Sequence, residues 1–319
     1  MKILVTGALG HIGSRVVRDL VHQFPDVEIV MLDNLLTQRF ASLFDLPASG
    51  RYRFVDADVT SMDMRRVLQN VHTVIHLAAI TDATRSFEYA EQVEANNYAA
   101  TKNVATACAD AGARFIGLSS TSVYGTQNAI VSECCAPEEL KPQSPYARTK
   151  LREEELVTQL CVEKGLRGIS FRFGTIFGVS PGMRFHTAVN KFCWQASMGQ
   201  PITVWSTAYD QLRPYLDLCD ASRAFAFVIR EDLFDGRIYN VLTQNATVRQ
   251  VVDIIRAAVP DLRVQFVDSP IMNQLSYEVS SARFAGLGFT CVGDLRRGIA
   301  DTIALLQHAN QNASVVAMS

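Results

Sequence analysis

In the segment Ser144-Pro145-Tyr146-Ala147-Arg148-Thr149-Lys150 a tyrosine and a lysine stand four residues apart, which puts both side chains on one face of a helix. A phenol with an ordinary pKa of about 10 is a poor base at neutral pH, and a nearby cation favours its ionised form. Tyr146 could therefore act as an acid–base group on a hydroxyl, with Lys150 as its electrostatic partner. The spacing alone says little, because half-buried tyrosines beside solvated lysines are frequent on helices.

Two further segments add chemistry. Leu118-Ser119-Ser120-Thr121-Ser122-Val123-Tyr124-Gly125 follows a strand-like run and could present a hydroxyl, with Ser120 the candidate, to the substrate oxygen that exchanges its proton with Tyr146. Val5-Thr6-Gly7-Ala8-Leu9-Gly10-His11-Ile12-Gly13 places glycines three residues apart between an apolar strand and a helix. In that context the first glycine permits a tight turn, the second lets the backbone approach a pyrophosphate, and the third lets the helix pack close to the strand. The phosphates would meet the free N–H groups at the helix N-terminus.

Asp33 ends the second strand, about 20 residues beyond the last of these glycines, where a carboxylate accepts hydrogen bonds from ribose hydroxyls. It would repel a 2′-phosphate, so NAD is expected over NADP, although Arg39 lies close by in sequence. An oxidised nicotinamide ring would also favour the Tyr146 phenolate. Asp58-Val59 has two readings: a pairing with adenine, or a turn and helix-capping role for the aspartate.

These groups need elements to hold them. Short β-branched runs alternate with longer amphipathic stretches, the pattern of a parallel sheet covered on both faces by helices. Strands are expected at Lys2–Thr6, Val27–Leu32, Tyr52–Ala57, Thr73–Leu77, Arg114–Ser119 and Gly168–Phe173. Helices are expected at His11–Gln23, Ser61–Gln69, Glu88–Ala111 and Pro145–Lys164. The expected fold is α/β: a Rossmann-like doubly wound parallel sheet over residues 1–177, with a smaller mixed α/β substrate lobe over 178–319. That lobe would contain helices at Thr187–Met198 and Val248–Val259, and a strand near Arg237–Val241 could return to the main sheet.

At 319 residues and 48% hydrophobic composition, the chain can bury a large core. A net charge of −2 argues against a nucleic-acid or anionic-membrane partner. No apolar run approaches the roughly 18 to 20 residues needed to span a bilayer, so a cytoplasmic protein is expected. The seven cysteines show no metal-binding or disulfide spacing and read as reduced thiols, mainly core filler; no metal is expected.

Taken in order, these motifs resemble the extended short-chain dehydrogenase/reductase family, NAD-dependent enzymes acting mostly on nucleotide-linked sugars. The resemblance is carried by Thr6-Gly7-x-x-Gly10-x-x-Gly13, Asp33-Asn34-Leu35, Asp58-Val59, His76-Leu77-Ala78-Ala79, Asn97-x-x-x-Thr101-x-Asn103, the serine loop, Tyr146-x-x-x-Lys150 and Arg213-Pro214-Tyr215. It implies that Ser120, Tyr146 and Lys150 are catalytic. It implies a cofactor site of Gly7, Gly10, His11, Ile12, Gly13, Asp33, Asn34, Asp58, Val59, Leu77, Ala78, Ala79, Asn97, Ser119, Tyr146, Lys150 and Phe173, the last beside the nicotinamide. Arg213 matches the arginine that grips a substrate diphosphate, with Arg184 as a second anion contact and Thr81, Ser122, Thr175 and Asn273 as further substrate-site positions.

Departures from the family pattern bear on the reaction. Thr121 and Ser122 follow Ser120 where sugar dehydratases carry acidic groups, which disfavours dehydration; Thr175 replaces a common substrate-binding asparagine. The expected activity is epimerisation of a nucleotide-linked sugar at C4. Alternatives are a net dehydrogenase or reductase of such a sugar, and a non-catalytic NAD-sensing or structural protein. The resemblance also implies a homodimer built on the helices Glu88–Ala111 and Pro145–Lys164.

Overall fold

The run Lys2–Thr6 (β1) is buried along almost its whole length, as a strand covered on both sides by helices must be. Six more strands join it: Glu28–Asp33 (β2), Arg51–Asp56 (β3), Thr73–His76 (β4), Arg114–Ser120 (β5), Gly168–Phe173 (β6) and Ile238–Val241 (β7). They form one sheet in the order β7-β6-β5-β4-β1-β2-β3, with every neighbouring pair parallel. The order reverses at β1, between β2 and β4, and ligands of doubly wound sheets bind outside the carboxyl ends of the strands at such a point. The computed structural model describes residues 1–81, 87, 89–125, 130–268 and 276–310.

On one face, helices His11–Gln23 (α1) and Leu218–Arg230 (α6) pack against each other and the sheet through a core that includes Ile3, Val16, Leu20, Phe171 and Phe225. On the other lie Arg65–Leu68 (α2), Ala90–Ala111 (α3) and Pro145–Lys164 (α4), over Leu4, Val74, Val104, Phe115 and Leu160. A third core, with Phe192, Ile202, Tyr215, Val251 and Ile299, fills the space among Ala188–Ser197 (α5), Val248–Ala258 (α7), the helix Leu295–Leu306 and the short strands beside them.

The structure departs from the expected pattern at the starts of two helices and bears out one expected strand. The helix expected at Ser61–Gln69 forms only over Arg65–Leu68, because Asp58 and Asp63 bond to backbone N–H groups two residues on and hold the preceding chain in turns. α3 begins at Ala90; Glu88 lies outside the described residues. The strand expected near Arg237–Val241 does return to the sheet, and α6 comes with it, so a Phe-rich helix from the second half of the chain covers the main sheet. Only Cys108 and Cys193 among the seven free cysteines are fully buried, fewer than a core-filler role for most of them would require. Among the described residues no helix is long and apolar enough to cross a membrane.

Candidate active site

β1 runs into Gly7, whose φ is +65°, and a Cβ there would lie 2.7 Å from the backbone of Leu77 and Ala78 beyond β4. Both conformation and space therefore require glycine. At Gly13 a Cβ would stand 2.4 Å from the Gly7 carbonyl oxygen, so its absence lets α1 begin directly over the loop. Gly10 caps α1 without a side-chain hydrogen bond, which leaves N–H groups of the first turn for an anion. Gly7, Gly10, His11, Ile12 and Gly13 all line one groove, and this cradle fits a dinucleotide diphosphate.

Asp33 supports the same groove in two ways. Its carboxylate oxygens accept from the Leu9 and Leu35 N–H groups, each at 3.0 Å, which shapes the glycine loop. Each oxygen keeps a lone pair for a ribose hydroxyl. Asn34 donates to Asp58 at 3.0 Å. The Thr60 hydroxyl and N–H also bond Asp58 and hold its carboxyl below the usual range, so Asp58 closes a turn while it and Val59 stand in the groove wall.

The opposite wall is Leu77, Ala78, Ala79, Ile80 and Thr81. The Thr6 hydroxyl oxygen accepts from the Leu77 and Ala78 N–H groups at 3.2 and 3.3 Å, so its hydrogen points to His76 Nδ1, 2.8 Å away. Asn97 is buried and clamps both the N–H and the carbonyl of Ile80, at 2.8 Å each. Its amide holds the wall rather than facing the groove.

The helix that carries Tyr146 and Lys150 is built to start where it does. Ser144 caps α4 by accepting from the Ala147 N–H at 3.1 Å, Pro145 takes the first position, and Gly165 ends the helix in the left-handed conformation. Tyr146 is half-buried and Lys150 is 4% exposed. The Lys150 Nζ lies 5.8 Å from the Tyr146 ring centroid. Burial pushes the phenol up while Lys150 pulls it down. Burial works against the Lys150 charge, but the Glu153 carboxylate, 2.9 Å away, holds it above the ordinary lysine range.

The turn after β5 packs against α4. There the Ser122 N–H and hydroxyl both donate to Ser120 Oγ, at 3.1 and 2.9 Å, which leaves the Ser120 hydrogen for another acceptor. Ser119 Oγ is buried with no hydrogen-bond partner among the described residues. Phe173 stacks on Phe171, with ring centroids 5.4 Å apart, within the sheet core.

Among the substrate-site candidates, Arg184 donates to Thr81, and both line the groove beside Gly10 and His11. Arg213 and Thr175 lie on adjoining strands, since Leu212–Asp217 pairs with Thr175–Phe177, and Tyr215 rather than Arg213 stands opposite Thr175. Asn273 lies outside the described residues.

A family model for NAD-dependent epimerases and dehydratases matches residues 3–241. The chain belongs to that family. It is 31% identical over 302 residues to the trifunctional UDP-glucose 4,6-dehydratase/UDP-4-keto-6-deoxy-D-glucose 3,5-epimerase/UDP-4-keto-L-rhamnose-reductase RHM2 of Arabidopsis thaliana, covering 90% of this chain and 44% of that protein. The chain thus spans less than half the length of that relative. The uncharacterized UDP-glucose epimerase YtcB of Bacillus subtilis is 28% identical over 264 residues, 80% of this chain and 81% of that one. Among solved structures, the UDP-glucuronic acid 4-epimerase of Bacillus cereus with UDP-glucuronic acid and NAD superposes at a TM-score of 0.88 and 23% identity, covering 97% of this chain and 100% of that one. MoeE5 with UDP-glucuronic acid and NAD gives 0.84 and 28%, with the same coverage. NAD is the cofactor of the family, and the cradle described above accommodates it.

In this member of the NAD-dependent epimerase/dehydratase family, several residues at the site were given no site role from the sequence, Arg39 being weighed only against the choice of NAD. Arg39 lines the groove and donates to the Gly182 carbonyl at 3.0 Å. Its proximity to Asp33 in sequence was the available signal. Ile80 and Thr37 also line the groove, and nothing in their type marks them. Glu153 was legible only as one of three consecutive glutamates.

The glycine loop is further tied to the segment after Phe177. His11 Nε2–H donates to the Gly178 carbonyl at 2.8 Å, and the Ser180 hydroxyl donates to the His11 carbonyl at 2.8 Å. Burial brings the His11 pKa down to about 4 and that of His76 to about 3, from 6.5. Both rings are therefore neutral when folded, and the unfolded chain binds more protons between pH 6.5 and these values. Stability is complete above about pH 6.5 and falls as pH drops through that window, by on the order of 3 kcal/mol or more for each ring. In urea unfolding across this range, His11→Gln, which keeps an N–H donor, is expected to reduce the slope; an unchanged slope would count against His11 as a source.

Proposed function

We propose that the protein is an NAD-dependent 4-epimerase of a nucleotide-linked sugar. The observation that carries this reading is the set of Ser120, Tyr146 and Lys150 on two elements packed together, with no carboxylate following Ser120. Thr121 turns its hydroxyl to the Phe173 carbonyl at 3.3 Å, and Ser122 gives its own to Ser120. An acid placed to drive water elimination is missing from both positions.

In this reading Ser120 donates its hydrogen to the oxygen at C4 and so orients it. Tyr146 accepts the proton from that oxygen, and the Lys150 ammonium favours the phenolate that does so. The glycine cradle, Asp33 and the walls at Val59 and Leu77–Ala79 would hold NAD, which would supply a reversible hydride acceptor for the sugar carbon. Tyr146 then gives the proton back, so no net oxidant is consumed. Arg213 serves the substrate diphosphate with its fork of donors. Arg184, placed by Thr81 at the groove, serves an anionic group there. Asn97 acts through Ile80. We assign residues 178–319 mainly to the sugar-nucleotide side, with α6 and β7 given to the sheet.

The assembly in this reading is a homodimer through the outer faces of α3 and α4. These helices pack side by side and expose the small Ala95 and Ala99 among Glu94, Lys102, Arg148 and Arg152. A concentration-independent monomer in sedimentation overturns that assembly.

The activity is tested by incubating purified protein and NAD with a panel of UDP- and dTDP-linked sugars. Interconversion of one C4-epimeric pair without accumulation of NADH is expected. Stoichiometric NADH would make the protein a dehydrogenase instead, and a 4-keto-6-deoxy product would make it a dehydratase.

A further inference from the structure

One buried ionisable group on α4 has no part in the reaction described above. Glu153 is 6% exposed. Its Oε2 accepts from the Lys150 ammonium and from the Thr101 hydroxyl on α3, each at 2.9 Å. Its Oε1 is buried without a hydrogen-bond partner among the described residues. The neighbouring Glu154 is used differently, in a two-pronged pair with Arg172 on β6 at 2.8 and 2.6 Å. Glu154 fastens the helix to the sheet, whereas Glu153 is committed to Lys150 and Thr101. An incompletely bonded carboxylate is an unfavourable way to fill space between two helices, where an apolar side chain would serve better.

The location supplies a reason for it. The ammonium that Glu153 holds is the one standing 5.8 Å from the Tyr146 ring. We propose that Glu153 is a positioning residue of the reaction: it fixes the Lys150 ammonium beneath Tyr146 and, through its own negative charge, sets the pH range over which the tyrosine acts. The inference rests on Tyr146 being the acid–base group.

The other charged groups facing this set act in known directions. Burial and Glu153 raise the phenol, while Lys150 and Arg184 lower it. Glu154 is offset by Arg172. His76 on β4 is kept neutral by burial, with Lys150 adding to the effect. Burial raises the Glu153 carboxyl itself, while the Lys150 ammonium and the Thr101 hydroxyl favour its ionised form, so Glu153 is the carboxylate whose removal should be felt most at Tyr146.

Glu153→Gln keeps an acceptor for Lys150 and Thr101 but removes the charge, and Glu153→Met fills the same space with no charge. In Glu153→Gln the acid limb of the kcat/KM profile and the ultraviolet tyrosinate titration of Tyr146, taken as a difference from Tyr146→Phe, are expected to move about one pH unit towards acid; in Glu153→Met, which also leaves the buried Lys150 ammonium without its partner, both should lie on the basic side of the Gln variant. Glu153→Asp, which restores the charge, should bring both back towards the parent values. If folded Glu153→Gln titrates Tyr146 as the parent does, or loses kcat with the acid limb unmoved, or if Glu153→Gln and Glu153→Met titrate Tyr146 alike, Glu153 is a structural residue and the proposal falls. The spectroscopic titration needs no substrate, so it decides the role of Glu153 even if no nucleotide sugar is turned over.

Discussion

With Tyr146 as the proposed acid–base group, Tyr146→Phe is expected to lower turnover of the nucleotide sugar by about two to four orders of magnitude while leaving NAD affinity within a few-fold. The phenyl ring can occupy the half-buried site of the phenol at the start of α4, where the helix is capped by Ser144 and so does not depend on the hydroxyl. Lys150 also stays in place, because its ammonium is bonded to Glu153 rather than to Tyr146. The variant removes the group proposed to take and return the proton, so the loss should appear in kcat and not in cofactor binding. Single-turnover assays with the active nucleotide sugar, together with calorimetric titration of NAD, check this. A variant within tenfold of the parent would remove Tyr146 from its acid–base role, and a variant that no longer binds NAD would make it a cofactor-site residue.

The second large effect is on stability. Glu154 and Arg172 are 2% and 3% exposed and meet through two hydrogen bonds, with the guanidinium 4.9 Å from the Tyr124 ring centroid. Burial works against the Arg172 charge, and Glu154 more than offsets this. Breaking such a pair from one side leaves an uncompensated buried charge, so Glu154→Ala is expected to cost about 3 to 5 kcal/mol. Replacing both partners by apolar residues, as in Glu154→Leu with Arg172→Met, should recover most of that loss, because the desolvation penalty of both charges disappears with them. Denaturant unfolding of the two single variants and the double variant checks the cycle. Additive losses in the double variant would show that the pair is not coupled. Since Arg172 lies on β6 and Glu154 on α4, the single variants should also loosen the placement of Tyr146.

Much of the site was legible in the residues. Gly7 and Gly13 sit where their spacing placed them, because the turn conformation at one and the close packing at the other leave no room for a Cβ. The pairing of Tyr146 with Lys150 follows from helical periodicity, and the alternation of strands and helices was enough for the parallel sheet. Of the two readings of Asp58 that the sequence left open, the turn role is the one its bonds to Thr60 show, and the residue also lines the groove. Element ends were less legible. α2 shrinks to Arg65–Leu68 because aspartate side chains compete for the backbone N–H groups before it.

What the sequence by itself determined is everything local: which residues turn, which lie on one helical face, and which carry a charge or hydroxyl beside them. Periodicity and backbone preference act over a few residues, so they survive without knowledge of the fold. What only the tertiary structure decided is which distant groups meet. The return of α6 and β7 to the sheet, the Arg172 pair with Glu154, the Asn97 clamp on Ile80 and the Thr101 bond to Glu153 all join residues far apart in the chain. For the pair first singled out, the spacing of Tyr146 and Lys150 put them on one face, but burial decided that the lysine would need Glu153. A charge removed from water requires a partner, and the residues packed around it determine which partner that is.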